Sequence, residues 1–117
     1  MTTEKSLKIS VITVVYNDVQ HIEETIKSVI NQTYGNVEYM IIDGGSTDGT
    51  VDVIKRYSQY IDYWISEEDN GIYDAMNKGI LKSTGDYIHF LNSGDTFYDQ
   101  ESVSKVALII ENNDICL

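Results

Sequence analysis

Three short polar stretches of this sequence carry side chains that can bind a polar ligand or a cation. Each follows an apolar run, and they are Tyr16-Asn17-Asp18, the loop from Asp43 to Asp48, and Asn92-Ser93-Gly94-Asp95. Carboxylate and amide oxygens accept hydrogen bonds from a base or a ribose, and they are ligands that hard cations prefer. Tyr16 is placed to stack on a planar ligand. These stretches are therefore the candidate site residues.

The second stretch is interpreted as the end of a buried strand that carries a carboxylate. The apolar run Met40–Ile42 is typical of a strand covered on both faces, and it stops at Asp43. Gly44 lets the backbone approach a ligand closely. One of residues 46–48 can cap a helix that begins near Thr50, which would leave backbone N–H groups for an anion. Taken alone, a simple tight turn is the alternative.

The third stretch, Asn92 to Asp95, places side-chain oxygens in a tight loop after another apolar run. This suits a cation that keeps water and substrate phosphates as its other ligands. An ordinary Asx turn is the alternative for this loop alone. His21 and His89 have no cysteine or second histidine at ligand spacing, so we interpret both as structural.

Strand and helix patterns alternate along the chain and must position these loops. Strands are predicted at 7–15, 37–42, 63–66 and 86–91, with the opening of a fifth at 114–117, and helical spacing marks 22–30, 53–61, 72–80 and 103–110. This order predicts an α/β fold with a mostly parallel sheet, right-handed crossovers and helices on both faces. All three polar loops would then lie at one edge of the sheet.

The third predicted helix has an apolar face made by residues 72, 75, 76, 79 and 80. This placement leaves Asp74, Asn77 and Lys78 off the buried stripe. No dinucleotide-binding glycine fingerprint and no P-loop motif occurs in the chain.

Composition narrows the class of partner. The chain of 117 residues has 19 acidic and 8 basic residues, and its net charge of −11 opposes binding to nucleic acid. An acidic protein that binds an acidic ligand needs a cation to mediate. The single cysteine, Cys116, excludes an internal disulfide and fits the cytoplasm. No segment approaches the roughly 20 apolar residues of a membrane span.

Four motifs taken together resemble a known family. They are S-V-I-T-V-V-Y-N-D, I-I-D-G-G-S-T-D-G-T, D-N-G-I-Y-D-A-M-N-K-G-I and G-D-Y-I-H-F-L-N-S-G-D. From Ser10 to its end, the chain resembles the amino-terminal half of family-2 glycosyltransferases of the GT-A fold, which is Rossmann-like. In particular, it resembles the bacterial enzymes of capsule, O-antigen and colanic acid synthesis.

The resemblance implies a nucleotide-diphosphate sugar donor. Tyr16 and Asn17 would line the base pocket, and Asp43 would hydrogen-bond the base. The same site would include Gly44 and Ser46. Further substrate contacts would come from Asp74 and Asn77, near the diphosphate or sugar, and from Asn92, Ser93 and Gly94. Asp95 would hold Mg²⁺ or Mn²⁺.

The chain departs from the family pattern at the metal motif, where Asn92 to Asp95 keeps only the last carboxylate. The family's acceptor-binding half and catalytic base would follow Leu117. We therefore expect residues 1–117 to be the amino-terminal, donor-binding part of an inverting enzyme, unable to catalyse transfer alone. The acceptor would be a saccharide or a lipid-linked sugar.

Two further expectations concern assembly and class. Apolar residues near the end of the chain, Ile109, Ile110, Ile115 and Leu117, would form an exposed patch and favour a homodimer. The full-length enzyme could associate peripherally with a membrane. A receiver-like signalling module that binds Mg²⁺ is the alternative function. It fits poorly because Tyr16-Asn17-Asp18 stands where a receiver has an acidic pair.

Overall fold

The structure, a computed structural model, describes residues 7–113, which form four strands, four α-helices and one short 3-10 helix. The strands are β1 (Ile9–Val15), β2 (Val37–Asp43), β3 (Tyr63–Ser66) and β4 (Tyr87–Phe90). The helices are α1 (Ile22–Ile30), α2 (Thr50–Arg56), α3 (Ile72–Lys82) and α4 (Ser102–Asn113). The predicted alternation of strands and helices is confirmed across this range.

The four strands form one parallel sheet in the order β3-β2-β1-β4. The central strand β1 pairs with β2 from Ile9 opposite Val37 to Val15 opposite Asp43. The chain first builds outward on one side of β1 and then returns to its other side with β4. A reversal of this kind leaves a crevice at the carboxyl ends of the strands, where open α/β sheets bind ligands.

Helices cover both faces of the sheet, as the sequence predicts. On one face, α1, α2 and α4 pack on β1 and β2 through a core that includes Ile26, Ile54, Ala107, Val11 and Ile41. On the other face, α3 packs on a smaller cluster of Ile12, Met40, Ile42 and Ala75. Alternate residues of β1 and β2 therefore point into two separate cores, which explains their nearly unbroken apolar sequence.

Helix α3 packs on the sheet through the two small residues of its predicted apolar face. Ala75 and Gly79 are buried, whereas Ile72 and Ile80 are 48% and 42% exposed. A methyl group added at Gly79 would lie 2.6 Å from Ile12 Cγ2, so the helix approaches the sheet too closely for a larger side chain. The prediction that Ile72 and Ile80 are buried is wrong in this part of the chain.

Several boundaries differ from the predicted ones. The helix α2 ends at Arg56, a 3-10 turn follows at Ser58–Tyr60, and Ile61 is buried in extended conformation after that turn. Near the other end, Ile109 is 54% exposed as expected, but Ile110 is buried. The predicted fifth strand, with Ile115 and Leu117, lies outside the described residues. Within 7–113, no helix has the length and apolar character needed to cross a bilayer.

Candidate functional site

An open cleft of about 770 Å³ lies at the carboxyl ends of β1, β2 and β4. All three predicted polar stretches contribute to its lining, through Tyr16, Asn17 and Asp18, through Gly44, and through Asn92 and Ser93. The loop between β3 and α3 adds Glu68, Asp69 and Gly71, and the first residue of α3 adds Ile72. The predicted convergence of the polar loops on one edge of the sheet is therefore observed.

The turn after β1 presents an aromatic ring and ties two loops together. Tyr16 is 64% exposed at the cleft. Asn17 adopts a positive φ of 46°, donates from its backbone N–H to Ser46 Oγ at 2.7 Å, and accepts from Thr47 N–H through Oδ1 at 2.8 Å. Asn17 and Ser46 thereby fix the first polar loop against the second.

Asp43 is fully buried, and its carboxylate accepts four hydrogen bonds from the chain itself. Oδ2 accepts from Gly45 N–H at 3.0 Å, Ser46 N–H at 2.8 Å and Ser66 Oγ at 2.7 Å, while Oδ1 accepts from Ser46 Oγ at 2.5 Å. In this geometry the carboxylate fixes the loop that follows β2. Asp43 does not line the cleft.

The backbone N–H groups of residues 44–47 are also engaged, so they are not free for an anion. Gly44 N–H donates to Val15 O, and those of residues 45, 46 and 47 donate to Asp43 and Asn17. The N–H of Thr50 donates to Asp48 Oδ1 at 3.0 Å, and the Thr50 hydroxyl donates to the same oxygen. Asp48 thus binds the N–H of the first residue of α2, and the anion site at the start of this helix stays a prediction.

The loop after β4 is anchored to α1 and leaves one acceptor unused. Gly94 N–H donates to Thr25 Oγ1 at 2.9 Å, and that hydroxyl donates to the carbonyl of Asp95 at 2.8 Å. Asn92 Oδ1 is buried and has no hydrogen-bond partner within the described residues. Because buried polar atoms are normally paired, this oxygen at the cleft is a candidate contact for a ligand or an ordered water.

Asp18 is a cleft residue that lies in the first predicted polar stretch but was given no role of its own. Its Oδ2 accepts from Ser93 Oγ at 2.8 Å, and its Oδ1 lies 2.7 Å from His21 Nδ1. The hydrogen bond to His21 is the main cause that lowers the pKa of the Asp18 carboxyl. The same bond raises the pKa of His21 above its ordinary value of 6.5. The hydrogen bond from Ser93 to Asp18 joins the loops after β1 and β4.

The sequence analysis selected no site residue in the loop after β3, although the position of this loop in the sheet indicated that it would reach the site. It follows a parallel strand, so its residues reach the same edge of the sheet as the other three loops. Asp69 Oδ1 accepts from Gly71 N–H at 3.0 Å, which closes the turn into α3. With Asp18, Glu68 and Asp69, the lining carries three acidic side chains, and it contains no lysine or arginine from the described part of the chain.

Six predicted site residues lie outside the lining of the cleft: Asp43, Ser46, Asp74, Asn77, Gly94 and Asp95. Asp74 accepts from Asn70 N–H at 3.0 Å and pairs with Lys78 at 3.8 Å, so it holds the first turn of α3. Asn77 is exposed on α3, and Asp95 is exposed beside the cleft.

The described residues do not form a metal cage of their own, since no group of three acidic, histidine or cysteine side chains in 7–113 is placed to hold an ion. Magnesium needs less than a cage, because it usually keeps waters and binds one or two carboxylates together with substrate phosphates. The unpaired Asn92 Oδ1 and the nearby carboxylates fit an ion of that kind.

Comparison with known proteins gives a family match over residues 10–116, to the model described as Glycosyl transferase family 2. An uncharacterized glycosyltransferase of Mycobacterium tuberculosis is 43% identical over 98 residues, which cover 83% of this chain and 37% of that protein. A PGL/p-HBAD biosynthesis glycosyltransferase of Mycobacterium bovis is 33% identical over 90 residues, which cover 74% of this chain and 35% of that protein.

Solved structures share the fold. S. aureus TarS 1-349 in complex with UDP-GlcNAc superposes with a TM-score of 0.83 at 23% identity, covering 92% of this chain and 32% of TarS 1-349. The mannosyltransferase PcManGT from Pyrobaculum calidifontis, in complex with GDP-Man and Mn²⁺, gives a TM-score of 0.77 at 23% identity, covering 88% and 31%. The chain therefore spans about a third of the length of these relatives and structures.

Proposed function

Because this chain belongs to glycosyl transferase family 2, we propose that it is the donor-binding part of an enzyme that transfers a sugar from a nucleotide-diphosphate sugar. The observation that carries the proposal is the cleft at the reversal point of the sheet, with an exposed tyrosine ring and an unpaired buried amide oxygen in its lining. The family match also decides against the receiver-like alternative.

The base of the donor would lie on Tyr16, beside the side chain of Asn17. A ring that is 64% exposed at a cleft offers a stacking surface of the kind that planar ligands use. The base end of the cleft is also shaped by the loop that carries Gly44. The buried carboxylate of Asp43 fixes this loop through its hydrogen bonds to Gly45 and Ser46. Asp43 would thus support base binding by positioning the loop.

The sugar and diphosphate would occupy the side of the cleft formed by the loop after β4. Asn92 Oδ1 is free to accept a hydroxyl hydrogen bond, and Ser93 is held in place by Asp18. Gly94 completes that loop. Asp74 and Asn77 of α3 would lie near the diphosphate or the sugar.

A divalent cation, Mg²⁺ or Mn²⁺, would be held by the diphosphate oxygens and the Asp95 carboxylate. When bound, the ion stabilises the diphosphate as a leaving group. The need for it follows from charge, because the lining brings three carboxylates and no described basic residue to a dianionic ligand. Two solved neighbours bind UDP-GlcNAc and GDP-Man, the latter with Mn²⁺, which supports this class of ligand.

The reaction would be a direct displacement at the anomeric carbon, with inversion, by a hydroxyl of a saccharide or lipid-linked acceptor. A general base must deprotonate that hydroxyl from about 2.6–3.2 Å. We assign no base among residues 7–113. The setting would be bacterial surface polysaccharide synthesis in the cytoplasm, with a homodimer formed through the exposed apolar surface around Ile109.

Calorimetry of this chain with UDP-GlcNAc and GDP-Man, in Mn²⁺ and then in EDTA, tests the proposal. We expect binding of at least one nucleotide sugar that weakens strongly when the metal is removed. An Asn92→Ala variant should bind less tightly, whereas Asn31→Ala, at the exposed end of α1, should bind as the parent does. A folded sample that binds neither sugar nucleotide in Mn²⁺ contradicts the proposed function.

A further inference from the structure

Resting on the proposed function, we infer that the donor carries guanine, and that Asp69 is the residue that selects this base over uracil. No motif in the sequence specifies the base, and the two nucleotide-bound neighbours carry different ones. The inference comes from the hydrogen-bonding groups that the base end of the cleft leaves unused.

Asp69 and Tyr16 meet above Gly44, where the lining has no side chain. A methyl group added at Gly44 would lie 2.9 Å from Asp69 Oδ2 and 3.3 Å from Tyr16 Cδ1. The carboxylate oxygen and the tyrosine ring therefore both border the space that Gly44 leaves open. A base that stacks on Tyr16 would turn one edge toward Asp69.

The oxygen that faces this gap is available as an acceptor. Asp69 Oδ1 accepts from Gly71 N–H, but Oδ2 accepts no hydrogen bond from residues 7–113. The side chain is partly buried, and the Glu68 carboxylate is its neighbour in the lining. A base edge that presents hydrogen-bond donors is stabilised here, and one that presents carbonyl oxygens is repelled.

Donors for a carbonyl-rich base are scarce on the opposite loop. The backbone N–H groups of residues 44–47 all donate within the chain, and the Ser46 hydroxyl donates to Asp43. On that side, the Asn17 amide NH₂ remains as a donor, because Asn17 Oδ1 is occupied by Thr47 N–H.

The four bases differ in how they fit this arrangement. Guanine presents two adjacent donors, N1–H and the 2-amino group, which match one carboxylate, with the O6 acceptor beside them for an amide donor. Uracil presents a single donor between two carbonyl oxygens, so a carboxylate that accepts from N3–H also faces two acceptors. Adenine and cytosine each place a ring-nitrogen acceptor next to their amino group. Guanine is the base that satisfies Asp69 without a facing acceptor.

Calorimetry in Mn²⁺ with GDP, UDP and IDP tests the assignment on this chain. Inosine lacks only the 2-amino group, so IDP isolates the second of the two proposed hydrogen bonds. We expect GDP to bind about ten- to a hundredfold tighter than UDP, and IDP to lie between them, as for hydrogen bonds to a charged acceptor. Tighter binding of UDP than GDP overturns the inference and leaves the proposed function intact. Binding of no nucleotide overturns both.

The variant Asp69→Asn tests the residue itself. Asparagine keeps an oxygen for Gly71 N–H, so the turn into α3 is preserved. The new amide donor opposes the 2-amino group and matches the 2-oxo group of xanthine, so preference should move from GDP toward XDP. Asp52→Asn, an exposed isosteric change on α2, is the matched control and should leave the GDP to XDP ratio unchanged. An unaltered ratio in folded Asp69→Asn refutes the role of Asp69.

Discussion

Replacement of Asp43 by alanine should destabilise the protein severely. The side chain is fully buried, and its carboxylate accepts two backbone N–H groups and two serine hydroxyls. The hydroxyls of Ser46 and Ser66 can turn toward other acceptors, but the N–H groups of Gly45 and Ser46 are fixed by the backbone. At about 1.5–3 kcal/mol for each hydrogen bond to a charged group, loss of the acceptor for these two fixed donors should cost about 3–6 kcal/mol.

Urea unfolding monitored by circular dichroism measures this loss, provided that the m-value is unchanged. A loss of this size removes a large fraction of the roughly 5–15 kcal/mol of a typical domain. Asp43→Asn keeps one carbonyl oxygen for part of the donor set and should lose less. Asp52→Ala, an exposed change of the same type, should stay within about 0.5 kcal/mol of the parent.

The refuting result is a stable Asp43→Ala protein whose nucleotide affinity has fallen. Such a protein would restore the interpretation made from the sequence, in which Asp43 hydrogen-bonds the base. The structure leads to the opposite order of effects, with stability lost first and binding lost as a consequence.

Three other predictions follow from particular contacts. Gly79→Ala should lower the free energy of unfolding by about 1–3 kcal/mol, despite alanine's better helix propensity, because the new methyl group would lie 2.6 Å from Ile12 Cγ2. Gly35→Ala is the neutral control, since a methyl group there would have no atom within 4 Å. A stabilised Gly79→Ala protein would contradict the close packing of α3. The pKa of His21, followed by NMR, should lie above 6.5 and should return toward that value in Asp18→Asn. The raised pKa of His21 gives stability that is lost as pH rises through it, and the lowered pKa of Asp18 gives stability that is lost as pH falls through it. His21→Ala should therefore destabilise the protein most between pH 3.8 and 6.5, and a pH-independent difference would refute the pairing. Binding of a nucleoside diphosphate should depend on Mn²⁺ far more than binding of the corresponding nucleoside, and equal dependence would contradict a cation that is held through the diphosphate.

The sequence predicts the scaffold well because the scaffold depends on local periodicity. Apolar runs with β-branched residues identify β1 and β2, and parallel strands must end at one edge of the sheet, so convergence of the polar loops follows from chain order alone. Burial on α3 was predicted correctly for Ala75 and Gly79 and wrongly for Ile72 and Ile80. Periodicity places all four on one face, but it does not show that the helix packs closely on the sheet through the two small residues and leaves the two isoleucines partly exposed.

The site was predicted less completely because the work of a polar side chain depends on its tertiary partners. Nothing in the sequence indicates that Asp43 accepts hydrogen bonds from Ser46 and Ser66, or that Asp18 joins two loops by accepting one from Ser93. Asp69 was overlooked because an acidic loop after a short strand is usually a solvated turn. Its proposed role depends on the open space at Gly44, which is 25 residues away in the chain.

The central claim, that the cleft holds the nucleotide of a sugar donor, is tested most directly by mapping amide chemical shifts of the ¹⁵N-labelled chain during titration with GDP-Man and UDP-GlcNAc in Mg²⁺. The account predicts saturable shifts that concentrate in the four loops at the carboxyl edge of the sheet, at residues 16–18, 44–46, 68–72 and 92–94. Saturable shifts confined to another surface, or none with either donor in a folded sample, would contradict it.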